Sequence, residues 1–453
     1  LTPNDNEAAP LAATLNVATN LSTTGTVLVS GGGETWSLSL EDAPVHEVPL
    51  LGFKPDTEYI IAVTVTTGDT HIDAEPLVWH TPPLPDDFPH LAFIQSEPGR
   101  MAPGMTLFDV IVARYAIVVD SLGEVRWFYR APRTNDRYRL LADGNIICVS
   151  DYGSYLTEID WFGNTVNTWF AANSSTAPAG TIPVAVRNFH HNIDEMPNGN
   201  LLVLAQEARY VNNYPTSSFN PNAPTSRARV TGDQIVELTR AGEVVKRYSL
   251  FDVIDPTRIG HDSEINNDWT HSNAVIYDPA SDAYLVSMRH QDAVIKIRRE
   301  TGELVWILGN PANWRTPWKS KLLAPLGADF EWQYHQHAVQ LTPGGIGLYD
   351  NGNYRVPAYE DPLPAPYHSR VVRFAIDEVA MTVEQQWTYF PKSGNDLLYS
   401  YAMSDADLQA NGNVLIASGT LTSLRANPGW AQIIEVTDAG DPVFELNVID
   451  APQ

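Results

Sequence analysis

The chain has 453 residues, 54 acidic and 28 basic side chains, a net charge of −26 and 43% hydrophobic residues. So acidic a surface repels nucleic acid and anionic membranes, so neither is expected as a partner. No apolar run is long enough to span a bilayer, so membrane insertion is not expected either.

The chain opens at Leu1 without an initiator methionine or signal sequence. This reads as the loss of a leader and an expected periplasmic or extracellular location. Residues 1–80 read as a separate β domain, because Thr24-Gly-Thr-Val-Leu-Val-Ser and Thr35-Trp-Ser-Leu-Ser-Leu alternate polar and apolar side chains as half-buried strands do. Leu51-Gly-Phe-Lys-Pro55-Asp-Thr-Glu-Tyr59 followed by Ile-Ile-Ala-Val-Thr-Val resembles the corner of a fibronectin type III sandwich, where a tyrosine opens strand F. The acidic surface leaves a homodimer through this domain open. Prolines then crowd Thr81-Pro-Pro-Leu-Pro-Asp-Asp-Phe-Pro89, which sets a linker at 81–90. The lone cysteine, Cys148 in Asn145-Ile-Ile-Cys-Val, reads as a buried small hydrophobe; no intrachain disulfide can form.

From 91 to 453 the chain repeats. Six copies of strand, turn, strand occur: Tyr115…Gly123-Glu-Val-Arg-Trp, Tyr155…Gly163…Trp169, Gln234…Gly242-Glu-Val-Val, Ala293…Gly302-Glu-Leu-Val-Trp, Arg370…Gln386-Trp and Gln432…Gly440-Asp-Pro-Val-Phe. Between them lie hairpins turning at Asp143-Gly, Asn198-Gly, Pro279-Ala-Ser, Pro343-Gly-Gly and Asn411-Gly, and a degenerate first copy is expected in 91–113. Two hairpins make a four-stranded blade, so the expected architecture is all-β: a six-bladed β-propeller after a small fibronectin III-like β-sandwich. Two stacked sandwiches are the weaker alternative.

With blade strands lettered A to D, both short turns fall on one face. The long connections (171–189, 206–232, 251–270, 309–334, 352–369) fall on the other, where sites are built. His191, Asn273 and His337 each stand six residues before a turn proline, at the start of strand A, and Arg289 ends the neighbouring strand B. His190/His191, His271/Asn273/Arg289 and His335/His337 therefore aim at one mouth. Imidazoles and a guanidinium around a channel suit an anion. Arginine offers a planar fork of donors, and histidine can donate, shuttle protons or attack. No serine elbow or glycine-rich phosphate loop is present. Sulfuryl or phosphoryl transfer fits best, since it needs positioning and charge stabilisation. His80, His90 and His368 read as structural.

Asp268-Trp-Thr-His271-Ser-Asn273, Arg289 eighteen residues after His271, Gln336-His337-Ala with the later Asp350-Asn-Gly, and His190-His191 before Met196-Pro-Asn-Gly-Asn together resemble the bacterial arylsulfate sulfotransferases. The resemblance spans the propeller. It implies ping-pong transfer from an aryl sulfate donor to a phenolic acceptor through a sulfohistidine, with no metal and no cofactor. His337 would be the nucleophile, and His271, Asn273 and Arg289 would bind the sulfuryl oxygens. One of His190 and His191 would assist; the repeat offset favours His191. His335 receives no role. Trp269, Tyr334 and Tyr401 are candidates to stack on the aryl ring. Two rivals stand beside this reading. One is a metal-dependent propeller hydrolase of sulfatase or lactonase type, with His335, His337, His271 and Asp268 as ligands. The other is a ligand-binding propeller without turnover.

Overall fold

The computed structural model describes residues 1–173, 175–423 and 426–449. The chain is all-β, and no helix among the described residues is long and apolar enough to cross a membrane. Two compact units can be distinguished: one comprises 1–89, 103–146 and 158–166, the other 90–102, 147–157 and 167–453.

In the first unit, residues 1–80 form one hydrogen-bonded sheet built on two long strands, Ala13–Gly31 and Glu34–Leu50. Their register shifts between Ala18 and Thr23 and again before Gly25. Such bulges bend a strand, and here both ends of the long strands reach one core: Leu15 and Leu50 pack with Val27, Phe53, Tyr59 and Trp79. The Tyr59 hydroxyl accepts the backbone N–H of Lys54 at 3.0 Å, which is the tyrosine corner expected from sequence.

Beyond the linker the described residues form six larger sheets in succession, antiparallel except for the short added strands Ile182–Val184 and Ala324–Leu326, and one two-stranded sheet, Lys392–Ser393 with Asp396–Leu397. Blade 1 has three strands, Thr106–Val110, Tyr115–Val119 and Val125–Arg130; blade 2 runs from Asn135–Leu140 to Thr165–Ala171. Blade 3 comprises His190–Glu195, Leu201–Tyr214, Ser226–Leu238 and Val244–Ser249. Blade 4 comprises Ser272–Asp278, Ala283–Met288, Ala293–Arg298 and Leu304–Gly309. Blade 5 comprises His337–Thr342, Gly345–Asp350, Arg370–Asp377 and Thr382–Tyr389. Blade 6 comprises Asp405–Leu408, Val414–Ser423, Ala426–Val436 and Pro442–Ile449. In blades 3 to 6 the A strands touch in series, so these sheets fan from a shared inner edge, as propeller blades do.

Two side-chain devices recur and explain why the repeats fold alike. In blades 2, 3 and 6 the asparagine after the A–B turn donates to a strand-C glutamate: Asn145 to Glu158 (2.9 Å), Asn200 to Glu237 (2.6 Å) and Asn413 to Glu435 (2.6 Å). Across blades, a strand-D aromatic donates to the C–D turn of the next sheet. Trp127 reaches Trp161 O (2.7 Å), Trp169 reaches Arg240 O (2.9 Å) and Tyr248 reaches Arg299 O (2.8 Å). Trp306 reaches Glu378 Oε1 and Trp387 reaches Asp438 O, both at 2.8 Å. A buried indole N–H needs an acceptor, and here the acceptor ties neighbouring blades together.

Two features differ from expectation. The segment 91–113 does not form a first hairpin: Thr106–Val110 joins blade 1, whereas His90–Ser96 pairs with Pro442–Ile449 as the outermost strand of blade 6. The connection 206–232 is mostly strand, because its backbone continues the ladder from Leu201↔Leu238 out to Tyr214↔Ser226.

Candidate active site

All the expected site residues lie in the second unit. The A strands begin where the pattern places them, at His190, Ser272 and His337, and each starts with a break in register. His191 (φ 57°) lies within its break, and His271 (φ 44°) and His335 (φ 53°) stand one and two residues before their strands; all three occupy left-handed backbone. Such conformations are costly for a residue with a Cβ, and they cluster where a side chain must be aimed.

Contacts link the residues into one constellation. The ring of His191 meets His271 edge-on, with centroids 5.0 Å apart, and His271 stacks on His290 at 4.5 Å. Arg289 Nη1 donates to His290 Nε2 at 2.7 Å, and its guanidinium carbon lies 5.4 Å from the centre of the half-exposed Tyr401 ring. The 400–403 backbone then accepts from Asn351 Nδ2, which bonds Ser400 O (3.0 Å) and Met403 O (3.1 Å). Asn351 Oδ1 lies 2.7 Å from His337 Nδ1. Asn273 Nδ2 donates to Gln336 O (2.7 Å), beside His337, and Asn273 Oδ1 is buried without a hydrogen-bond partner.

These contacts fix tautomers. Both Asn351 amide hydrogens go to carbonyls, so its oxygen is the atom facing His337. His337 Nδ1 therefore carries the proton, and Nε2 carries the lone pair. His271 Nδ1 lies 2.5 Å from the Asp268 carboxylate, which holds its proton on Nδ1 in the same way. His290 accepts from Arg289 at Nε2 and donates from Nδ1 to Asp268 O at 2.6 Å, so it is neutral. Burial, with His271, Arg289 and His335 nearby, holds its pKa well below the usual imidazole value.

His190 and His191 share one proton between their Nδ1 atoms, 2.9 Å apart. His190 Nε2 is 3.3 Å from Asp233 Oδ1, while Asp233 Oδ2 accepts from Thr270 Oγ1 and Ser272 N, each at 2.7 Å. His190 is thus the anchored member, and His191 is the one turned toward His271. Burial alone would raise the Asp233 pKa, but His190 and these two donors pull it down to about 2. A depressed carboxylate contributes stability above its unfolded pKa of about 3.9, and this is lost as pH falls through the folded value. Asp233→Asn is therefore expected to flatten the acid limb of unfolding between about pH 4 and pH 2. It should also cost about 3 kcal/mol or more at neutral pH, because His190 loses a buried partner. Denaturant melts at several pH values check both.

The aromatic candidates separate. Tyr401 alone presents an exposed ring beside Arg289. Trp269 is fully buried, stacked on Phe251, with its N–H on Arg258 O, so it is core rather than a ring-binding wall. Tyr334 is also buried, its hydroxyl accepting from Asn310. Sequence reasoning gave no role to Asn351 or His290. Asn351 was visible inside Asp350-Asn-Gly, whereas His290, adjacent to Arg289, carried no repeat signal.

Among the described residues, two triads bring ligand atoms within 4.8 Å of one another: Asp262/His290/His335 and Asp268/His271/His290. Neither donor set fits a cation. His290 has both nitrogens engaged, one of them by a guanidinium, and His335 is paired with Asp262 and Asp292.

Fold and site together define a β-propeller protein whose A-strand ends gather histidines and an arginine in an arrangement suited to an oxyanion. Residues 91–453 match the arylsulfotransferase (ASST) family model, and the chain belongs to that family. It is 27% identical over 415 residues to the arylsulfate sulfotransferase AssT of Escherichia coli O6:H1, and 24% identical over 413 residues to AssT of Lelliottia amnigena. Each alignment covers 77% of this chain and 62% of the relative, so the chain spans less than two thirds of the length of these curated relatives. Among solved structures, a streptogramin B lyase (12% identical, TM-score 0.39) aligns over 82% of this chain and 85% of its own. A gluconolactonase from Xanthomonas campestris (9% identical, TM-score 0.38) aligns over 80% and 89%.

Proposed function

We propose that the protein is an arylsulfate sulfotransferase that moves a sulfuryl group from an aryl sulfate to a phenol through a sulfohistidine on His337. The observation that carries the reading is the tautomer of His337: Asn351 holds the proton on Nδ1, so Nε2 is the nucleophilic atom.

The Nε2 lone pair attacks sulfur. The N–S bond forms as the sulfur–aryl oxygen bond breaks, and the leaving phenoxide takes the bonding pair. The ring becomes a cation whose Nδ1–H still donates to Asn351 Oδ1, so no proton has to leave it. Arg289 holds the sulfuryl oxygens, supported by Asn273, and His271 joins them in its doubly protonated form, with one N–H on Asp268 and Nε2–H donating to the anion. His191, with His190 and Asp233 behind it, supplies a proton to the phenoxide and then accepts one from the second phenol. That phenol's oxygen attacks sulfur, the N–S bond breaks, and the pair returns to Nε2. Positioning and charge stabilisation are the main catalytic terms in such transfers.

The test is release of p-nitrophenol from p-nitrophenyl sulfate with and without added phenol, read alongside intact mass. Phenol-dependent release with a gain of one sulfuryl group supports ping-pong transfer. Release independent of phenol means a hydrolase, and neither release nor adduct with a panel of aryl sulfates sinks the reading. Asn351→Leu frees the ring to take the other tautomer and is expected to lower the transfer rate on the order of 10²- to 10⁴-fold. Asn351→Asp, which keeps an acceptor, should retain more activity than Asn351→Leu; equal losses would remove the tautomer from the explanation.

A further inference from the structure

His335 has no task in the steps above, yet its place in the repeat is that of His271. Each stands eight residues before its turn proline, on left-handed backbone at the head of strand A. Its ring is fully buried. Nδ1 lies 3.1 Å from Asp292 Oδ1 and Nε2 lies 3.4 Å from Asp262 Oδ2, and both carboxylates are buried as well. The His335 backbone N–H donates to Asp292 Oδ1 at 2.8 Å, and the Tyr354 hydroxyl donates to Asp262 Oδ1 at 2.8 Å.

A carboxylate near each nitrogen favours the doubly protonated imidazole through charge, although neither contact has the geometry of a hydrogen bond. Burial and Arg289 oppose that charge, but Asp292 and Asp262 outweigh them, and the pKa of His335 is raised. Asp262 moves the other way: burial would raise its pKa, but His335, Tyr354 and Arg289 lower it. The charged groups facing His335 are therefore Asp262, Asp292 and Arg289, and the titratable ones are His261 and His290, whose own pKa values are lowered first by burial. Arg289 is the cation shared between this cluster and the substrate side. Its Nη1 rests on His290, its Nε is buried without a hydrogen-bond partner, and its field reaches both Asp262 and His335. With a neutral residue in place of His335, Asp262 would lack its counter-ion and Asp292 would keep only the field of Arg258, so the guanidinium of Arg289, whose field already reaches Asp262, would be drawn to them.

We propose that His335 is a positioning residue for Arg289: clamped as an imidazolium between Asp262 and Asp292, it neutralises the carboxylates that would otherwise capture the guanidinium, and so leaves that fork to an incoming sulfuryl anion. This rests on the reading that Arg289 binds the anion.

The experiment compares wild type, His335→Gln, Asp262→Asn and the double variant. Steady-state turnover of p-nitrophenyl sulfate is measured beside calorimetric binding of inorganic sulfate and thermal melts. His335→Gln is expected to raise KM, and to weaken sulfate binding, by about tenfold to a hundredfold, the loss typical of a charge-assisted hydrogen bond, with a smaller change in kcat. Adding Asp262→Asn removes the uncompensated carboxylate, so the double variant should regain most of that loss. Should His335→Gln fail to fold, a double variant that folds and binds near wild type carries the same conclusion. Unchanged KM and sulfate binding in His335→Gln overturn the proposal, as does a double variant no better than the single. If wild type binds sulfate but turns over no aryl sulfate, the transferase reading fails while the binding series still decides the role of His335. If wild type does neither, both fail.

Discussion

Replacing His337 with alanine is expected to abolish sulfuryl transfer, by about 10⁴-fold to 10⁶-fold in kcat, as removal of a covalent nucleophile does elsewhere. The same change should eliminate the mass gain on incubation with an aryl sulfate. The fold should survive it: His337 stands at the first position of its strand, and Asn351, to which its ring is bonded, keeps its bonds to Ser400 O and Met403 O. A melting temperature near wild type would therefore accompany the loss. An adduct that persists in the alanine variant would move the nucleophile to another residue, with His271 and His191 the first to examine, because their rings lie 5.0 Å apart in the same constellation.

Arg289→Lys is expected to cost about 10²-fold to 10³-fold in kcat/KM, the scale of losing one preorganised donor to developing charge. The charge survives in this variant, so the test isolates geometry. A guanidinium fork can contact two sulfuryl oxygens at once while keeping a third N–H on His290, and an ammonium cannot reproduce that planar arrangement. Arg289→Ala should lose more and should also release His290, whose Nε2 then lacks its donor. If lysine functions within a fewfold of arginine, a bidentate clamp is excluded and Arg289 serves as a point charge.

The repeats made the fold legible because each carried a physical cause. The Asn-Gly and Asp-Gly turns set hairpin ends, and the asparagine that follows reaches a strand-C glutamate. The strand-D tryptophans were visible as a pattern, but their work of joining one sheet to the next depends on acceptors about 34 to 72 residues away, which no local reading supplies. The histidines were legible through their offset from a turn proline. An offset of six selects His191, Asn273 and His337; the same count at eight pairs His271 with His335, a relation the backbone makes plain through the shared positive φ. Residue type and a place on the long-loop face single out Trp269 and Tyr334 in the sequence. Type does not encode burial, and both are enclosed by partners remote in sequence: Arg258 carbonyl and Phe251 for one, Asn310 for the other.

The strand His90–Ser96 that completes blade 6 has a consequence for how the protein is made. Gln95 hydrogen-bonds the carbonyl of Pro442, 347 positions later. At ribosomal speeds of roughly 5–20 residues per second, the earlier strand emerges tens of seconds before its partner exists. During that interval a segment bearing Phe93 and Ile94 waits with a bare hydrogen-bonding edge, the kind of surface that pairs with strangers. Nascent chains of this protein should therefore depend on holding factors until the last strand is translated, and chains stopped before Pro442 should aggregate through that edge.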